Sequence, residues 1–489
     1  MFSRPASLTH LWCLFELYIA QANSSKFRIA TTQQEYIKFL ESLSNDNDLK
    51  SFYSVCDSIQ VQSAQSSEKE TLLITYIKSH VLGEFYKFNL DLRKLFENWL
   101  IELISRSAVD AEDSAVKAMW QHSLGVLHRN RKSYALAERY ALLAVEGRKK
   151  ELGENNRETL HSIYNLALVY DGQGKFNDAT PLYQKIVDSN IKFFGATHDF
   201  TITSIRRLAQ HYEAAEQYHK AAELYQNIVD ISITKNGKSN KETLAAYLDL
   251  ANAFAKGDIS EDAEILYRKV YEARARELGA NNEETLSVAL QLAALYKKYK
   301  KFTEAEKLYK RCLEHQLEML GEEDPATLTT VFHLATLYSQ TGELDDAIRL
   351  LKQCIEVRSS VLLPFHPDTI AAKSILANVY QKQGNIKEAE PLFAACVEAR
   401  VAVLGSQHPD TLGSMNNLAA FYNVQGNYDL AEPLFSACVE LKAQVLGETH
   451  PSTLTSAKSL ILLYRATDDF EKAAVLQERF NIDIDSTSI

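Results

Sequence analysis

The residues with the clearest potential for redox or metal chemistry are four cysteines that recur at a fixed interval of 42 positions. They are Cys312, Cys354, Cys396 and Cys438. The equivalent position in the three preceding copies holds Val270, Ile228 and Ile186. A position that accepts Ile, Val and Cys is predicted to be small, apolar and buried. Equivalent atoms of neighbouring copies lie about 8–10 Å apart, beyond the roughly 7 Å Cα limit for a disulfide. We therefore predict core packing for these thiols and expect neither a metal nor a cofactor.

Four histidines share a second repeated position, and three of them stand directly before a proline. They are His198, His366, His408 and His450. A proline is tolerated at the first residue of a helix, where its missing N–H costs nothing. The preceding histidine, or Asp324 in one copy, can then accept a hydrogen bond from a free amide of the first turn. With one histidine in each loop, we predict helix caps rather than metal ligands.

Catalytic sequence motifs are missing from the chain. It contains no Gly-rich phosphate loop, no Gly-x-Ser-x-Gly elbow and no pair of histidines spaced around a glutamate for zinc. We therefore predict that the chain is not an enzyme and has no catalytic residue.

The spacing of the cysteines and histidines belongs to a repeat that fills most of the chain. A Thr-Leu or Thr-Ile pair recurs eight times, and each second residue lies 42 positions from the next. These residues are Leu160, Ile202, Leu244, Leu286, Leu328, Ile370, Leu412 and Leu454. A fixed period of this length predicts a solenoid of stacked helical units.

Each copy reads as two helices, A and B. Apolar residues from Leu160 to Tyr170 and again from Ala179 to Ile186 recur at three- and four-residue steps, which is helical periodicity. Gly174 lies between them, where the chain must leave a helix through a positive φ. Three copies have Glu216, Asp258 and Lys300 at this place instead, and we expect their turns to differ in shape.

The order of residues within a copy resembles the tetratricopeptide repeat (TPR) signature. In one copy the matching residues are Ile163, Leu166, Ala167, Tyr170, Ala179 and Tyr183. The 42-residue period, with its His-Pro-Asp-Thr-Leu and Leu-Gly borders, is similar to the repeats of kinesin light chains and related TPR proteins. This resemblance implies an all-α fold, a right-handed α-α superhelix (TPR solenoid), preceded by a small N-terminal mixed or helical segment.

Composition and charge narrow the functional classes. The net charge of −11 argues against a nucleic-acid-binding protein, which normally presents a basic face. Apolar runs are too short for a membrane span. The N-terminus resembles a cleavable signal peptide in three features: Arg4, the apolar run 11–20 and the segment Ala20-Gln21-Ala22. Glu16 inside the apolar run argues against a signal peptide. We therefore expect a cytoplasmic protein that binds neither nucleic acid nor membranes.

The repeats divide the chain into three predicted parts. Residues 1–112 carry no copy of the repeat and form an N-terminal segment, residues 113–483 form about nine repeats, and residues 484–489 form a polar tail. Within the first part, Trp12-Cys13-Leu14-Phe15-Glu16-Leu17 resembles a late helix of TIR domains, in which Glu16 stands at the place of the family's NAD-cleaving glutamate. The alternative function is therefore a TIR-derived NAD hydrolase, or its remnant, regulated by the repeats. A third hypothesis is that the protein self-assembles through its end repeats.

The favoured function lies on the face of helix A that points away from helix B. Positions on this face vary between copies and are rich in hydrogen-bonding and cationic side chains, which suit an extended, acidic peptide. The predicted groove residues are Arg206, Arg207, Gln210, Asn252, Lys256, Lys297, Lys298, Thr336, Asn378, Lys382, Asn416 and Asn423. The corresponding groove of kinesin light chains takes short acidic cargo peptides. We therefore predict a non-catalytic scaffold or adaptor that binds other proteins through such segments.

Overall fold

A computed structural model describes residues 85–482 except residues 363 and 449. Nineteen helices and no strand are present in this part of the chain. The chain divides into two compact units, an N-terminal unit, Met1–Leu295, and a C-terminal unit, Tyr296–Ile489. The predicted all-α TPR-type repeat fold is confirmed.

The N-terminal unit begins with one long helix and continues with alternating A and B helices. Its helices are α1 (Phe85–Asp110), α2 (Ser114–Asn130), α3 (Tyr134–Leu152), α4 (Arg157–Gly172), α5 (Phe176–Phe194), α6 (Asp199–Ala214), α7 (Tyr218–Asn236), α8 (Lys241–Lys256) and α9 (Ser260–Glu277). The B helices α3, α5 and α7 each pack between the A helix before them and the A helix after them, and α9 packs against α8. The A helices α2 and α4 also contact each other.

The C-terminal unit has the same alternation. Helix α10 (Glu283–Lys298) spans the boundary between the units, and α11 (Phe302–Met319), α12 (Pro325–Thr341), α13 (Leu344–Val361), α14 (Pro367–Gln383), α15 (Ile386–Leu404), α16 (Pro409–Val424), α17 (Tyr428–Leu446), α18 (Pro451–Ala466) and α19 (Phe470–Phe480) follow. The A helices α12 and α14, and likewise α16 and α18, are in direct contact. Neighbouring A helices therefore lie side by side in both of these pairs.

Small side chains let the two helices of each pair approach closely. The two predicted alanine positions are fully buried in every copy that carries them, for example at Ala167 and Ala179 and at Ala335 and Ala347. Interior packing leaves almost no empty space, so a larger residue at these positions would force the helices apart. The predicted packing face of the repeat is therefore confirmed.

The starts of the A helices follow the predicted capping chemistry. The Nδ1 atoms of His198, His366, His408 and His450 accept hydrogen bonds from the amide two residues later at 3.1–3.2 Å. Asp324 does the same through a carboxylate oxygen at 2.8 Å. The threonine three residues after each capping residue is buried, and in most copies its hydroxyl donates to the border glycine, as Thr411 does to Gly405 O at 2.8 Å. The prediction of histidine caps is confirmed.

The turns between helices A and B correct one expectation. Glu216, Asp258 and Lys300 have φ of 57°, 60° and 59°, in the same left-handed region as Gly174 at 72°. These turns therefore keep the shape of the glycine turns, against our expectation. The preceding tyrosine or phenylalanine carbonyl accepts a hydrogen bond from the residue that follows the turn, as in Gln217 N to Tyr212 O at 2.8 Å. This local bond and the packed helices on both sides hold a conformation that costs a non-glycine residue about 1 kcal/mol or more.

A buried or half-buried arginine joins each of several B helices to the next A helix, which the sequence did not suggest. Arg148, Arg358 and Arg400 donate to the carbonyl of the residue ten positions later at 2.9–3.0 Å. Arg400 also donates to Ser414 Oγ at 2.6 Å. Each guanidinium satisfies a backbone acceptor at a helix start and so helps to fix the spacing of consecutive copies.

Three predictions concern residues outside the described part of the chain. The segment 12–17 with Glu16, most of the N-terminal segment 1–112 and the tail 484–489 lie there. None of the helices described between residues 85 and 482 is long and apolar enough to span a lipid bilayer.

Candidate functional site

The predicted groove residues lie on the A helices of both units. The N-terminal A face comprises the outward side chains of α4, α6 and α8, and the C-terminal A face comprises those of α12, α14, α16 and α18 together with Lys297 and Lys298. The first face holds Arg206, Arg207, Gln210, Asn252 and Lys256, and the second holds Lys297, Lys298, Thr336, Asn378, Lys382, Asn416 and Asn423. All twelve side chains are partly or fully exposed.

On the N-terminal A face two of the three predicted cations are already paired with carboxylates of a neighbouring copy. Arg206 Nε lies 2.8 Å from Asp249 Oδ2, and Lys256 Nζ lies 2.5 Å from Glu213 Oε2. Both pairs join residues 43 positions apart on adjacent A helices. Because these charges are used inside the protein, the pairs hold the copies in register and leave less positive potential for a ligand.

The other three predicted residues of this face are also engaged. Arg207 donates to Gln210 Oε1 at 3.1 Å, and its guanidinium lies 5.9 Å from the ring centre of Tyr164. The Asn252 side-chain oxygen accepts a hydrogen bond from the Tyr267 hydroxyl. Asn252 is therefore a partner for a helix B tyrosine, and only its amide nitrogen remains for a ligand.

The C-terminal A face carries side chains with spare hydrogen-bonding capacity. Asn378 donates to Ser374 O in its own helix at 3.0 Å, and its amide oxygen has no protein partner in the described chain. Asn416 Oδ1 accepts from the Ser456 hydroxyl at 2.8 Å, which leaves its amide nitrogen to donate. Asn423 Oδ1 is buried and has no hydrogen-bond partner in the structure described here. Such groups can pair with the N–H and C=O groups of an extended chain.

Three further predicted residues of this face differ in the contacts that they already make within the protein. The Thr336 hydroxyl donates to Phe332 O at 2.7 Å and is not available as a donor. Lys382 Nζ donates to Ser339 O on the adjacent A helix at 2.9 Å, and no carboxylate in the described part of the chain is paired with it. Lys298 Nζ lies 5.6 Å from the ring centre of Tyr299.

Charge is distributed very unevenly over the C-terminal unit. Helices α12, α14, α16 and α18 contain only two carboxylates, Asp368 and Asp410, and both lie in the first turn. The cations of the same helices are Lys382, Lys458 and Arg465 at groove positions, and Lys373, whose ammonium donates to Pro364 O in the preceding loop at 3.2 Å. By contrast, each of the helices α4, α6 and α8 carries a carboxylate beyond its first turn. The C-terminal A face is therefore a cationic and amide-rich surface on a chain with a net charge of −11.

Lys297 lies in a cationic setting at one end of the C-terminal A face. Burial lowers the pKa of Lys297. Burial, followed by the positive charges of Lys297 and Arg358, lowers the pKa of His333 from 6.5 to about 4. The Arg358 guanidinium also lies 5.3 Å from the ring centre of Phe332. Lys297 and Arg358 are the charged groups that shift the pKa of His333, and no carboxylate is among them.

Sequence reasoning missed three contributors to this face. Lys458 and Arg465 lie on α18 and His333 lies on α12, and none of the three was among the predicted groove residues, although His333 shares the repeat position of Arg207. Comparing the same position in every copy would have found them. The position of His333 holds Asn165 and Asp249 in upstream copies, where both take part in contacts between A helices.

The four repeated cysteines play the predicted structural role. All four are buried, and the thiols of Cys354, Cys396 and Cys438 donate to helix A carbonyls at 3.4–3.6 Å. Burial raises the pKa of Cys396 and of Cys438 to about 11, which opposes thiolate chemistry. No group of three or more histidine, cysteine or acidic side chains suited to a metal occurs in the described part of the chain.

Family models agree with this architecture. One model described as tetratricopeptide repeat matches residues 117–192, 284–360 and 410–479, and a second with the same description matches residues 369–410. These ranges together make up a little over half of the sequence. The chain belongs to the tetratricopeptide repeat family. No curated protein sequence matches this TPR protein significantly.

Several solved structures are similar to this TPR protein. A Podosopora anserina protein with nearly identical TPR-like repeats of the kinesin light chain type is 26% identical over 41% of this chain and 94% of its own, with a TM-score of 0.38. BtubC (BKLC) from P. vanneervenii is 20% identical over 48% of this chain and 94% of its own, with a TM-score of 0.41. A Rap protein complexed with Competence and Sporulation Factor is 12% identical over 75% and 100%, with a TM-score of 0.40.

Proposed function

We propose that this TPR protein is a non-catalytic scaffold whose C-terminal A face binds an extended, acidic segment of a partner protein. The observation that carries the proposal is the charge asymmetry of helices α12, α14, α16 and α18, which carry three cations at groove positions and no carboxylate beyond the first turn. A face that repels no acidic side chain and offers amides for backbone pairing favours such a peptide over a basic or purely apolar one.

The spacing of the helices sets the length of the ligand. Packed helices lie about 8–10 Å apart, so four A helices span roughly 27 Å between the first axis and the last. An extended chain advances about 3.3 Å per residue. A peptide that contacts all four helices therefore needs about eight to ten residues.

The experiment is a binding screen with paired peptides. Immobilised peptides of about ten residues containing Asp or Glu are compared with the same sequences containing Asn or Gln, using the full chain as the probe. We expect the carboxylate form to bind more tightly in each selected pair and the difference to shrink at high salt, because screening weakens exposed charge pairs. Equal binding of both forms would contradict the proposal.

A charge-reversal variant tests the location. Lys382→Glu combined with Lys458→Glu should weaken the best acidic peptide about tenfold or more, since two attractive contacts become repulsive. Lys307→Glu combined with Lys387→Glu is the matched control, because it makes the same change in net charge on exposed positions of the B helices α11 and α15. If both double variants weaken the peptide equally, the A face is not the binding site.

A further inference from the structure

The hydroxyl of a recurring helix B tyrosine meets an acceptor on helix A in three successive copies. Tyr183, Tyr225 and Tyr267 occupy this position at intervals of 42 residues. Tyr183 Oη donates to Asp171 Oδ2 at 2.7 Å, and Tyr267 Oη donates to Asn252 Oδ1. Tyr225 is hydrogen-bonded to Glu213, which with burial raises the pKa of its hydroxyl. An acceptor at one of two helix A positions therefore accompanies the tyrosine each time.

The fourth tyrosine of the series, Tyr309, lacks such an acceptor. The two helix A positions that supplied Asp171, Glu213 or Asn252 hold Lys297 and Ala294 in this copy. Tyr309 is 0% exposed, and its hydroxyl has no hydrogen-bond partner in the structure described here. Buried hydroxyls are rarely left unpaired, and an exception points to an absent partner.

The ring that stacks on Tyr309 belongs to a histidine influenced by two cations. The His333 ring stacks on the Tyr309 ring at a centroid distance of 5.9 Å and an interplanar angle of 22°. The charges of Lys297 and Arg358 act on the same histidine, and the only influence on the pKa of Lys297 is burial. Arg358 Nε is also buried without a partner in the part of the chain described here. The cluster thus combines unpaired donors with positive charge and lacks the carboxylate found in the equivalent earlier copies.

We propose that Lys297, His333 and Tyr309 form a pocket for one anionic oxygen group of the bound partner. The Tyr309 hydroxyl donates to the anion, Lys297 supplies the charge, and the ligand oxygen takes the place that Asp171 and Glu213 occupy in the earlier copies. Lys297 and His333 are partly exposed, so the entrance that this requires lies beside them. This inference rests on the proposed function for the identity of the ligand as part of a partner chain.

The anionic group of the ligand is a carboxylate or a phosphate, and two small anions distinguish these alternatives. Acetate and inorganic phosphate are titrated at constant ionic strength, and the ring signals of His333 are followed by NMR together with the thermal midpoint. A response to both anions assigns the pocket to carboxylates and phosphates alike, whereas a response to phosphate alone assigns it to a phosphorylated residue. No shift of His333 with either anion would overturn the proposal.

Two variants separate a ligand pocket from a packing defect. Tyr309→Phe removes a hydroxyl that is unpaired in the free protein, so its thermal midpoint should equal or exceed that of the wild type while anion affinity falls about tenfold or more. Lys297→Glu restores an acceptor of the type seen at Asp171 and Glu213, so we expect a higher midpoint and no response to anions. Tyr225→Phe is the control, because its hydroxyl is paired and its loss should lower the midpoint and spare the anion response.

The outcomes also separate this inference from the proposed function. If Tyr309→Phe lowers the midpoint as much as Tyr225→Phe does, the hydroxyl already has a partner such as a buried water, and the pocket is refuted. If acidic peptides bind wild type and Tyr309→Phe equally while Lys382→Glu with Lys458→Glu weakens them, the pocket fails and the proposed function stands. If the anions bind at His333 but no peptide binds, the pocket stands and the proposed function fails.

Discussion

A half-buried histidine of the C-terminal A face, His333, gives a quantitative prediction for acid stability. The pKa of His333 is lowered from 6.5 to about 4, first by burial and then by the charges of Lys297 and Arg358. Protonation therefore favours the unfolded chain, in which the histidine has its ordinary pKa. The stabilisation is fully present above about pH 6.5 and is lost as the pH falls towards 4.

The size of the effect follows from these two pKa values. Between about pH 7.5 and about pH 4.5, the wild type should lose about 2.5 kcal/mol more unfolding free energy than His333→Gln, which cannot be protonated. Other titrating groups affect both proteins and cancel in this difference. Adding Lys297→Gln to the wild type should reduce the loss, because one of the charges that oppose protonation is then absent.

The assay is urea unfolding at a series of pH values, fitted for the C-terminal part of the transition because repeat arrays need not unfold in one step. The two proteins are compared at each pH under the same salt concentration. A difference in pH dependence below about 1 kcal/mol would refute the assigned environment of His333. If the wild type loses less stability than the variant on acidification, the pKa of His333 is raised rather than lowered, and the prediction is wrong.

The remaining predictions concern packing and the repeated thiols. Ala335→Arg places a charge between closely packed helices and should lower the unfolding free energy by about 4 kcal/mol or more. Gln340→Arg, on the exposed side of the same helix, is the control and should leave the urea midpoint nearly unchanged. Cys396→Val should change stability by less than about 1.5 kcal/mol, because it conserves volume in an apolar slot; a larger loss would reveal a role for the thiol beyond packing. The same thiol should react with a disulfide reagent only at the rate of unfolding, and fast labelling of the folded protein would contradict its burial.

The strictly repeated features of the fold could be predicted from the sequence. The period of 42 residues fixed the number of helices per copy, and alanines such as Ala335 identified the packed face because a small residue recurs wherever two helices touch. The capping role of His408 was predictable because its proline neighbour marks a helix start. These features depend on local chemistry that every copy repeats.

Features that depend on pairs of residues in different copies could not be predicted from one copy. Arg206 and Lys256 were predicted to be groove cations, but each is paired with a carboxylate 43 positions away, Asp249 and Glu213 respectively. One copy of the repeat does not show which side chains of adjacent A helices come into contact. The left-handed turn at Glu216 escaped prediction for a related reason: glycine is the usual residue there, but flanking helices can impose the same φ on another side chain.

The environment of Tyr309 shows most clearly what the repeat pattern conceals. Its residue type agrees with the pattern, and the sequence treats it as an ordinary packed aromatic. Only the loss of an acceptor at Lys297, seen against Asp171 and Glu213 in earlier copies, separates it from Tyr183 and Tyr225. Departures from the pattern on a facing element, rather than in the residue itself, therefore locate the candidate chemistry of this protein.

The most direct test of the central claim is to map where a bound peptide lies. An acidic peptide of about ten residues that carries a photoreactive benzophenone is crosslinked to the full chain, and the attached residues are identified by mass spectrometry. The account predicts crosslinks within α12, α14, α16 and α18, suppressed by an excess of the unlabelled acidic peptide but not by its amide counterpart. Crosslinks confined to the B helices or to the N-terminal unit would contradict it.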